Sequence, residues 1–420
     1  MNLKKKFYLN CIIVLSYFIA KKQGKEQRLR MLSFIKEKET VWQYLKMAGK
    51  PIVLYGTGDG ADKIMARLSE ENISASGIFA SDEFVRGQEF SGFTVRKYSE
   101  LLSIKTPLIV LICFASELPE QMKRFYELEK IHETYAPHVP VFSGDETVTP
   151  EWLEKYESQL LEVYNKLEDE TSRQVFASVL NYKISGKLCY LRECTTYRQD
   201  DLKNLFAFGP AETYADLGAF NGDTIKEFLQ LTNRNFNKIY AVEPDAKNFK
   251  KLKEFVLRNE ISRTTCIQAG IWNRCGALEL AGNGGRQSTF CYKKEDESVS
   301  SLPEERKSIL ASGKHAEGKR KKIKVQTVPV ITIDHMLGND RADYMKFDVE
   351  GMEQEGLQGA KDHLRPDCNG ILPKLLVAAY HHDTDIFVLP LLLWDLQPRY
   401  KIYMRKHPYV PAWEINIFAK

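Results

Sequence analysis

From residue 206 onwards, short apolar runs are separated by stretches in which apolar residues recur with helical periodicity, a pattern typical of a parallel α/β sheet. Continuous apolar runs are typical of strands buried on both faces, and apolar residues three or four apart are typical of the helices that cover them. We therefore expect residues 206–420 to form one α/β domain, the C-terminal domain. The pattern predicts strands at 213–217, 238–243, 264–269, 343–348, 373–380, 399–404 and 414–419, and helices at about 223–231, 246–258, 353–363 and 385–394.

A shorter version of the same pattern fills residues 45–145, the first unit. An apolar run at 51–55 leads into alternating glycines, Gly56, Gly58 and Gly60, and then into an amphipathic helix at about 62–71. This order of strand, glycine turn and helix predicts a small Rossmann-like α/β domain. Further strands are expected at 75–82, 108–114 and 139–142, with a helix at about 119–130.

Residues 146–205 carry helical spacing and predict a helical connector between the two α/β regions. Thr149 can cap a helix whose first residue is Pro150, and apolar positions keep helical spacing as far as residue 167. A second helix is expected at about 172–182.

A polar, lysine-rich stretch at 293–324 interrupts the C-terminal domain and has few large apolar residues. It predicts a mobile surface loop or hairpin excursion. Its basic cluster at 319–322 is interpreted as a solvated face, and contact with an anionic substrate or a membrane is the less favoured interpretation.

Composition adds a few limits to this picture. With 420 residues, 43% of them hydrophobic, the chain can bury the cores of two domains. Its 60 basic and 56 acidic side chains give a formal net charge of +4, and this near balance does not indicate a nucleic-acid partner. The eight cysteines show no C-x-x-C pair. That usage favours a reduced, cytoplasmic setting without disulfides or a metal site.

The N-terminal extension, residues 1–30, has its own pattern. A lysine cluster precedes an apolar run at 7–20, which further lysines close. The run is shorter than the ~20 residues that a transmembrane helix needs, and it lacks the small-residue cleavage site of a signal peptide. Two interpretations stay open: contact of residues 7–20 with a membrane surface, and an extension ahead of a start near Met31.

The glycine-bearing turn after the strand at 213–217 carries the first chemical signal. Gly218 and Gly222 have no Cβ, so the backbone there can approach a ligand closely. Glu243 ends the next strand, where its carboxylate can accept hydrogen bonds from both hydroxyls of a ribose. The turn lacks the third glycine of the dinucleotide fingerprint, which favours an adenosine ligand without a pyrophosphate, such as S-adenosylmethionine. An ordinary crossover with a solvated acid is the alternative.

Two further strand ends are expected on the same edge of the sheet. Asp348 and Glu350 follow one strand, and several acids meeting there require a cationic or hydroxyl-rich ligand. His381 and His382 follow another strand and point to opposite sides of an extended chain, so at most one faces the ligand. We favour His381 as a general base. Structural roles, a helix cap for Glu350 and a packed or metal-paired histidine, stay open as alternatives.

Together these motifs resemble the FkbM-type, S-adenosylmethionine-dependent methyltransferases over residues 206–420. The resemblance rests on Asp216-Leu217-Gly218-Ala219, on Glu243-Pro244-Asp245, on residues 346–351 and on residues 331–334. It implies a class I methyltransferase fold, a Rossmann-like seven-stranded sheet whose last strands form an antiparallel pair. It also implies O-methylation of a sugar, a glycan or another small molecule.

The resemblance implies roles for individual residues. Asp216 and Gly218 would lie beside the methionine part of the cofactor, and Glu243 would hold the ribose. Residues 268–272 would flank the adenine, and Asp348 would lie next to the transferring methyl. An alcohol acceptor must lose its proton, so the expected catalytic residues are His381 and Asp348, with no metal. The expected cofactor-binding residues are Asp216, Gly218, Ala219, Asn221, Glu243, Asp245, Ala269, Gly270, Asp348 and Glu350.

The first unit leaves three interpretations open: a docking module for a nucleotide sugar or substrate, an inert scaffold or oligomerisation domain, and an NAD site. A different function for the whole chain follows from the first of them, a nucleotide or nucleotide-sugar binding protein without methyl transfer. Loss of nucleotide affinity in Gly58→Val, with no methyl transfer to any acceptor, would distinguish it. The acceptor and the oligomeric state are not specified by the sequence.

Overall fold

The computed structural model describes residues 32–142, 144–281, 289–291 and 325–420. The expectations for the N-terminal extension and for the insertion at 293–324 lie outside the described residues. In the described part of the chain, no helix combines the length and the apolar character needed to cross a membrane.

The first unit is built on a six-stranded sheet with the order β3-β4-β2-β1-β5-β6, parallel except for the short β3–β4 pair. Every residue of the central strands β1 and β5 is buried, as their continuous apolar sequences predict. The strands are β1 (Ile52–Tyr55), β2 (Gly77–Ala80), β3 (Glu89–Phe90), β4 (Phe93–Lys97), β5 (Ile109–Ile112) and β6 (Glu133–Tyr135), and the helices are α1 (Val41–Met47), α2 (Asp59–Glu70), α3 (Tyr98–Ser103) and α4 (Pro119–Ile131).

The strand predicted at 139–142 is wrong, because the sheet takes β6 as its last strand instead. α4 ends at Ile131, and the chain pairs with β5 within two residues. Pro137 and Pro140 follow, and neither has an N–H group to donate to a strand ladder. The apolar residues at 139–142 are therefore used in a loop.

The connector consists of helices separated by short non-helical segments, and it is more broken than its periodicity suggests. The Thr149 hydroxyl accepts a hydrogen bond from the Trp152 N–H at 3.2 Å, and Pro150 is the first helical residue. The expected long helix is interrupted at Tyr156, and the last two helices of the connector were not predicted. The helices are α5 (Pro150–Lys155), α6 (Glu157–Lys166), α7 (Glu170–Ser185), α8 (Leu188–Cys194) and α9 (Arg198–Leu205).

The C-terminal domain contains the predicted seven-stranded sheet, with the order β16-β17-β15-β14-β7-β8-β9. β17 is antiparallel to both of its neighbours and the other pairs are parallel. The strands are β7 (Thr213–Leu217), β8 (Lys238–Val242), β9 (Thr264–Ile267), β14 (Tyr344–Phe347), β15 (Lys374–Ala378), β16 (Ile402–Lys406) and β17 (Ile415–Ala419). The helices are α10 (Asp223–Leu231), α11 (Ala246–Arg258), α12 (Ile333–Leu337), α13 (Glu353–Gln358) and α14 (Asp385–Leu396).

A second, four-stranded sheet in this domain was not predicted. Its order is β10-β13-β11-β12, and β11 pairs with β13 along six residues of each strand. The strand predicted at 264–269 is two residues shorter than expected, since β9 ends at Ile267, and Gly270 and Ile271 after it pair with β13 of the second sheet. The strands are β10 (Gly270–Ile271), β11 (Gly276–Ala281), β12 (Thr289–Cys291) and β13 (Val325–Ile331).

The loop after β15 fastens the C-terminal domain to the rest of the chain. The Asp383 carboxylate lies 2.7 and 2.9 Å from His138 Nε2 of the first unit and accepts a hydrogen bond from Lys183 Nζ of α7 at 2.7 Å. All three side chains are buried. Burial alone would raise the pKa of Asp383, but His138 and Lys183 outweigh it and the pKa is lowered. His382 Nδ1 adds a contact of 2.7 Å to Asp145. This loop, which also holds His381, is thus fixed by groups from both other regions.

Candidate active site

A cavity of about 320 Å³ opens where β7, β8, β14 and β15 end at one edge of the seven-stranded sheet. Its volume is at the lower end of the ~300–1,000 Å³ that is usual for small-molecule sites. The C-terminal domain supplies most of the wall, and the first unit and the connector supply three residues, Glu117, Val141 and Arg198. Eight of the predicted site residues line it, namely Gly218, Glu243, Asp245, Ala269, Gly270, Asp348, Glu350 and His381.

The glycine turn after β7 is shaped by close packing of backbone against backbone. Gly218 has φ +87°, and a Cβ there would lie 1.9 Å from the carbonyl oxygen of Asp348. Gly222 has φ +93°, and a Cβ there would lie 2.4 Å from the Phe255 ring. Only glycine suits such positions. The turn after β7 and the turn after β14 can therefore touch each other, and residues of both turns line the cavity.

Glu243 lies at the end of β8 with a buried carboxylate held by the backbone. Its Oε2 accepts a hydrogen bond from the Phe220 N–H at 3.0 Å, and its Oε1 accepts one from the Asp245 N–H at 2.9 Å. Burial raises the pKa of Glu243 to about 7, although the two backbone donors oppose that rise. An ionised carboxylate can accept about four hydrogen bonds, so both oxygens can still accept from a ligand in the cavity.

Asp245 has a structural role as well as a place in the cavity wall. It is the N-cap of α11, and its Oδ1 accepts hydrogen bonds from the backbone N–H groups of Lys247 and Asn248, both at 3.0 Å. The cap fixes the direction in which the chain leaves Glu243.

Lys346 is a site residue that the sequence prediction missed. It is buried in β14, donates a hydrogen bond to the Gly218 carbonyl at 3.1 Å, and lies 3.5 Å from Asp216 and 3.7 Å from Asp348. Burial alone would lower the pKa of Lys346, but the two carboxylates raise it. A lysine inside an otherwise apolar strand was the available signal, because a buried ammonium needs anionic partners.

Asp216, Ala219 and Asn221 belong to the turn but are not among the residues that line the cavity. Asp216 is fully buried, and burial raises its pKa against the opposing charge of Lys346. It accepts a hydrogen bond from the Thr224 hydroxyl at 2.5 Å. Lys346 and Thr224 do line the cavity, so Asp216 contacts two residues of the cavity wall without lining it itself.

His381 lies in the cavity wall among three carboxylates, and His382 does not line the cavity. Its Nδ1 is 3.0 Å from Glu353, and its Nε2 is 3.6 Å from Glu350 and 3.7 Å from Asp348. Burial alone would lower the pKa of His381, but the carboxylates, Glu353 first, raise it to about 10. His381 is therefore an imidazolium at neutral pH in the ligand-free protein. Glu353, which is fully buried at the start of α13, was not predicted as a site residue.

Asp348 connects this histidine cluster with the glycine turn. The Tyr380 hydroxyl donates a hydrogen bond to Asp348 at 3.2 Å. Burial alone would raise the pKa of Asp348, but Lys346 and His381 lower it, so this side chain is a carboxylate at neutral pH. Ligand atoms of Asp348, Glu353 and His381 lie within 4.8 Å of one another, compact enough for a cation. The imidazolium of His381 supplies positive charge in this cluster.

Another part of the cavity wall comes from segments that carry no recognisable motif. Backbone groups of Ser116 and Val410 pair at 2.8 and 2.9 Å and bring a loop of the first unit against the loop between β16 and β17. The rings of Tyr409 and Trp413 lie 5.5 Å apart there, and Glu414 follows them. Burial raises the pKa of Glu414, and the charge of Asp348 adds to the rise. Sequence reasoning missed these residues because only the tertiary fold brings their loops to the cavity.

The seven-stranded sheet, with its antiparallel strand β17 between β15 and β16, has the class I methyltransferase fold. Residues 216–391 match the family model of the methyltransferase FkbM domain, and this part of the chain is an FkbM methyltransferase domain. The match lies inside the range that was predicted from the motifs. It leaves out the first unit, the connector and the last two strands.

A solved structure extends the likeness to the whole chain. The crystal structure of methyltransferase FkbM from Methylobacillus flagellatus is 17% identical and superposes with a TM-score of 0.65, covering 96% of this chain and 100% of that one. The fold is therefore shared beyond the FkbM domain, including the first unit.

Other solved structures align over a smaller part of the chain and have low TM-scores. An rRNA methylase from Streptococcus thermophilus (12% identity, 53% of this chain and 92% of that one) has a TM-score of 0.31. A precorrin-6y C5,15-methyltransferase from Geobacter metallireducens (12% identity, 53% and 85%) has a TM-score of 0.29. A search of curated proteins gave no match.

Proposed function

We propose that the protein is an S-adenosylmethionine-dependent methyltransferase that O-methylates a hydroxyl of a sugar, a glycan or another small metabolite. The observation that carries the proposal is the convergence of Glu243, the Gly218 turn and Asp348 on one cavity of an FkbM domain. When bound, S-adenosylmethionine supplies an electrophilic methyl group on a sulfonium, open to in-line displacement by the acceptor oxygen.

The polar groups of the cavity fit such a cofactor. Glu243 offers two carboxylate oxygens, already oriented by backbone donors, to a pair of ribose hydroxyls. Ala269 and Gly270 form an uncharged part of the wall that suits the adenine. Asp348 and Glu350 bring negative charge to the cavity wall, which suits a ligand that carries a sulfonium and an ammonium group.

On the acceptor side, the charges of the cluster favour Asp348 as the group that accepts the proton of the acceptor hydroxyl. His381 already carries a proton near neutral pH, so its ring cannot accept another in the ligand-free protein. Asp348 is ionised and faces the cavity. The acceptor oxygen becomes strongly acidic as it gains a carbon substituent, so a carboxylate of low pKa is a sufficient acceptor for the proton. His381 then holds Asp348 in place and balances its charge.

Titration calorimetry with S-adenosylmethionine tests the cofactor assignment. Glu243→Ala removes both acceptors for the ribose and is expected to lower affinity at least about tenfold, since hydrogen bonds to charged groups contribute ~1.5–3 kcal/mol each. Glu254→Ala is the matched control, because Glu254 lies on α11 and pairs with the exposed Arg258. Unchanged affinity in Glu243→Ala would contradict the proposal.

The reaction itself is tested by mass spectrometry. The purified protein is incubated with isotope-labelled cofactor and either a cell extract or a panel of sugars and small alcohols. Labelled methyl ethers are the expected products. Label found only on nitrogen, carbon or sulfur atoms would overturn the assignment of an oxygen acceptor.

A further inference from the structure

Arg198 brings a guanidinium to the cavity from outside the FkbM domain. It is the first residue of α9 in the connector, and its Nε lies 2.9 and 3.0 Å from the two carboxylate oxygens of Glu227 on α10. Its Nη2 is buried and has no hydrogen-bond partner among the described residues. A buried donor without a partner costs ~1–3 kcal/mol, so such a group in a native protein calls for an explanation.

The other positive charges of the cavity wall are already engaged. Lys346 bonds to the Gly218 carbonyl and lies between two carboxylates, and the His381 ring lies among three. Glu227 holds one edge of the Arg198 guanidinium and so fixes its plane. Arg198 is thus the cationic group of the wall with a buried donor, Nη2, that has no partner among the described residues, and its guanidinium is oriented by Glu227.

The position and shape of this donor indicate a carboxylate ligand. Glu227 lies one turn beyond Asp223 and Thr224, which begin α10 and line the cavity. The N-terminus of this nine-residue helix also favours negative charge. A planar guanidinium matches a carboxylate better than it matches a hydroxyl or a single point charge.

We infer that Arg198 binds the carboxylate of the methionine part of S-adenosylmethionine. This inference rests on the proposed function and adds to it an anchor supplied by the connector. The many carboxylates of the cavity face the cationic groups of the cofactor, and Arg198 faces its one anionic group. The FkbM domain alone, residues 216–391, therefore lacks one of the residues that hold the cofactor.

Calorimetry with two ligands separates this contact from the rest of the site. The probes are S-adenosylmethionine and its decarboxylated analogue, which lacks only the carboxylate. Wild-type protein is expected to bind the first at least about tenfold more tightly, in line with ~1.5–3 kcal/mol for a charged hydrogen bond. Arg198→Gln should lose that preference by weakening the first ligand while leaving the second nearly unchanged.

Control variants keep the result interpretable. Arg192→Gln, on α8, removes an arginine that pairs with Glu129 near the surface, and it should retain the wild-type preference. The double variant Arg198→Gln/Glu227→Gln avoids leaving the half-buried carboxylate of Glu227 unpaired and should behave as Arg198→Gln does. Binding of the decarboxylated analogue shows that each variant is folded.

The outcomes are distinct. Wild-type protein that binds both ligands equally, or Arg198→Gln that keeps the wild-type preference, would overturn the inference and leave the proposed function standing. Wild-type protein that binds neither ligand would overturn the proposed function itself.

Discussion

The chain contains two glycine turns between a strand and a helix, and they differ in what surrounds them. In the first unit, a Cβ on Gly60 would lie 2.3 Å from the Cys113 carbonyl oxygen, and one on Gly56 would lie 2.8 Å from the Phe114 ring. In the C-terminal domain, a Cβ on Gly218 would lie 1.9 Å from the Asp348 carbonyl oxygen. In both turns the glycines allow a neighbouring loop to approach.

The surroundings decide which turn carries chemistry. Beside the first turn, the rings of Tyr55 and Phe114 lie 5.1 Å apart and form part of an apolar cluster. Beside the second turn lie the charged groups of Lys346, Asp348 and Glu243. Glycine spacing alone therefore indicates only that another part of the chain packs closely against the turn. Charged residues at the adjacent strand ends are the feature that indicates a ligand site.

The largest effect is expected from Gly218→Ala. The variant combines a left-handed φ with overlap on the Asp348 backbone, so we expect a loss of roughly 3 kcal/mol or more in the free energy of unfolding. S-adenosylmethionine binding should be lost as well, because residues of both turns line the cavity. Gly58→Ala is the control, since nothing lies within 4 Å of its added Cβ, and it should cost no more than about 1 kcal/mol. If urea unfolding showed an equal loss of stability in Gly218→Ala and Gly58→Ala, the proposed difference between the two turns would be contradicted.

Gly60→Ala sharpens the comparison, because it places a similar overlap in the first turn. We expect it to cost roughly 1–3 kcal/mol of stability through overpacking against Cys113. Calorimetric affinity of the folded protein for S-adenosylmethionine should stay within about twofold of wild type. A tenfold loss of affinity would mean that the first turn belongs to the cofactor site.

The pH dependence of stability tests the charged cluster of the second turn. The pKa of His381 is raised to about 10 in the folded protein from its ordinary value of 6.5, which applies in the unfolded chain. Its contribution to stability is therefore full below pH 6.5 and is lost as the pH rises towards 10. Glu353→Gln removes the main cause of the raised pKa and should flatten the decline between pH 7 and 10. Thermal unfolding across this range, with Glu350→Gln for comparison, measures the difference, and equal slopes would contradict it.

The smallest effect concerns Glu243. Its pKa of about 7 means that the carboxylate is increasingly protonated as the pH falls below neutrality. A protonated carboxyl accepts fewer hydrogen bonds from ribose hydroxyls, so affinity for S-adenosylmethionine should weaken a few-fold between pH 8 and 6. Glu243→Gln should show a flatter profile in calorimetry, whereas an unchanged slope in that variant would assign the titration to another group.

The sequence predicted the elements whose signals are local. α10 and α11 begin and end at the predicted residues, because Gly222 and the Asp245 cap mark their starts. β7 also has its predicted bounds, since all five of its residues are buried and only Thr213 and Asp216 are polar. The four-stranded sheet was missed because β11 finds its main partner in β13, on the far side of the lysine-rich insertion.

The site was predicted in part for the same physical reason. Residues that follow parallel strands reach a common edge by topology, and this gave Glu243, Asp348 and His381. Lys346 and Glu353 act through tertiary partners, and Arg198 comes from another region of the chain. Nothing in their local sequence specifies those partners, and only the packed structure brings them together.

The contacts of the loop after β15 limit how the chain can be engineered. Asp383 contacts His138, which lies 245 positions earlier in the sequence, and the nearby His381 lines the cavity. Exchanging the first unit for one from another protein would leave two buried charges, Asp383 and Lys183, without their third member. A graft that keeps residue 138 compatible with residue 383 therefore has the better prospect of a folded and active chimera.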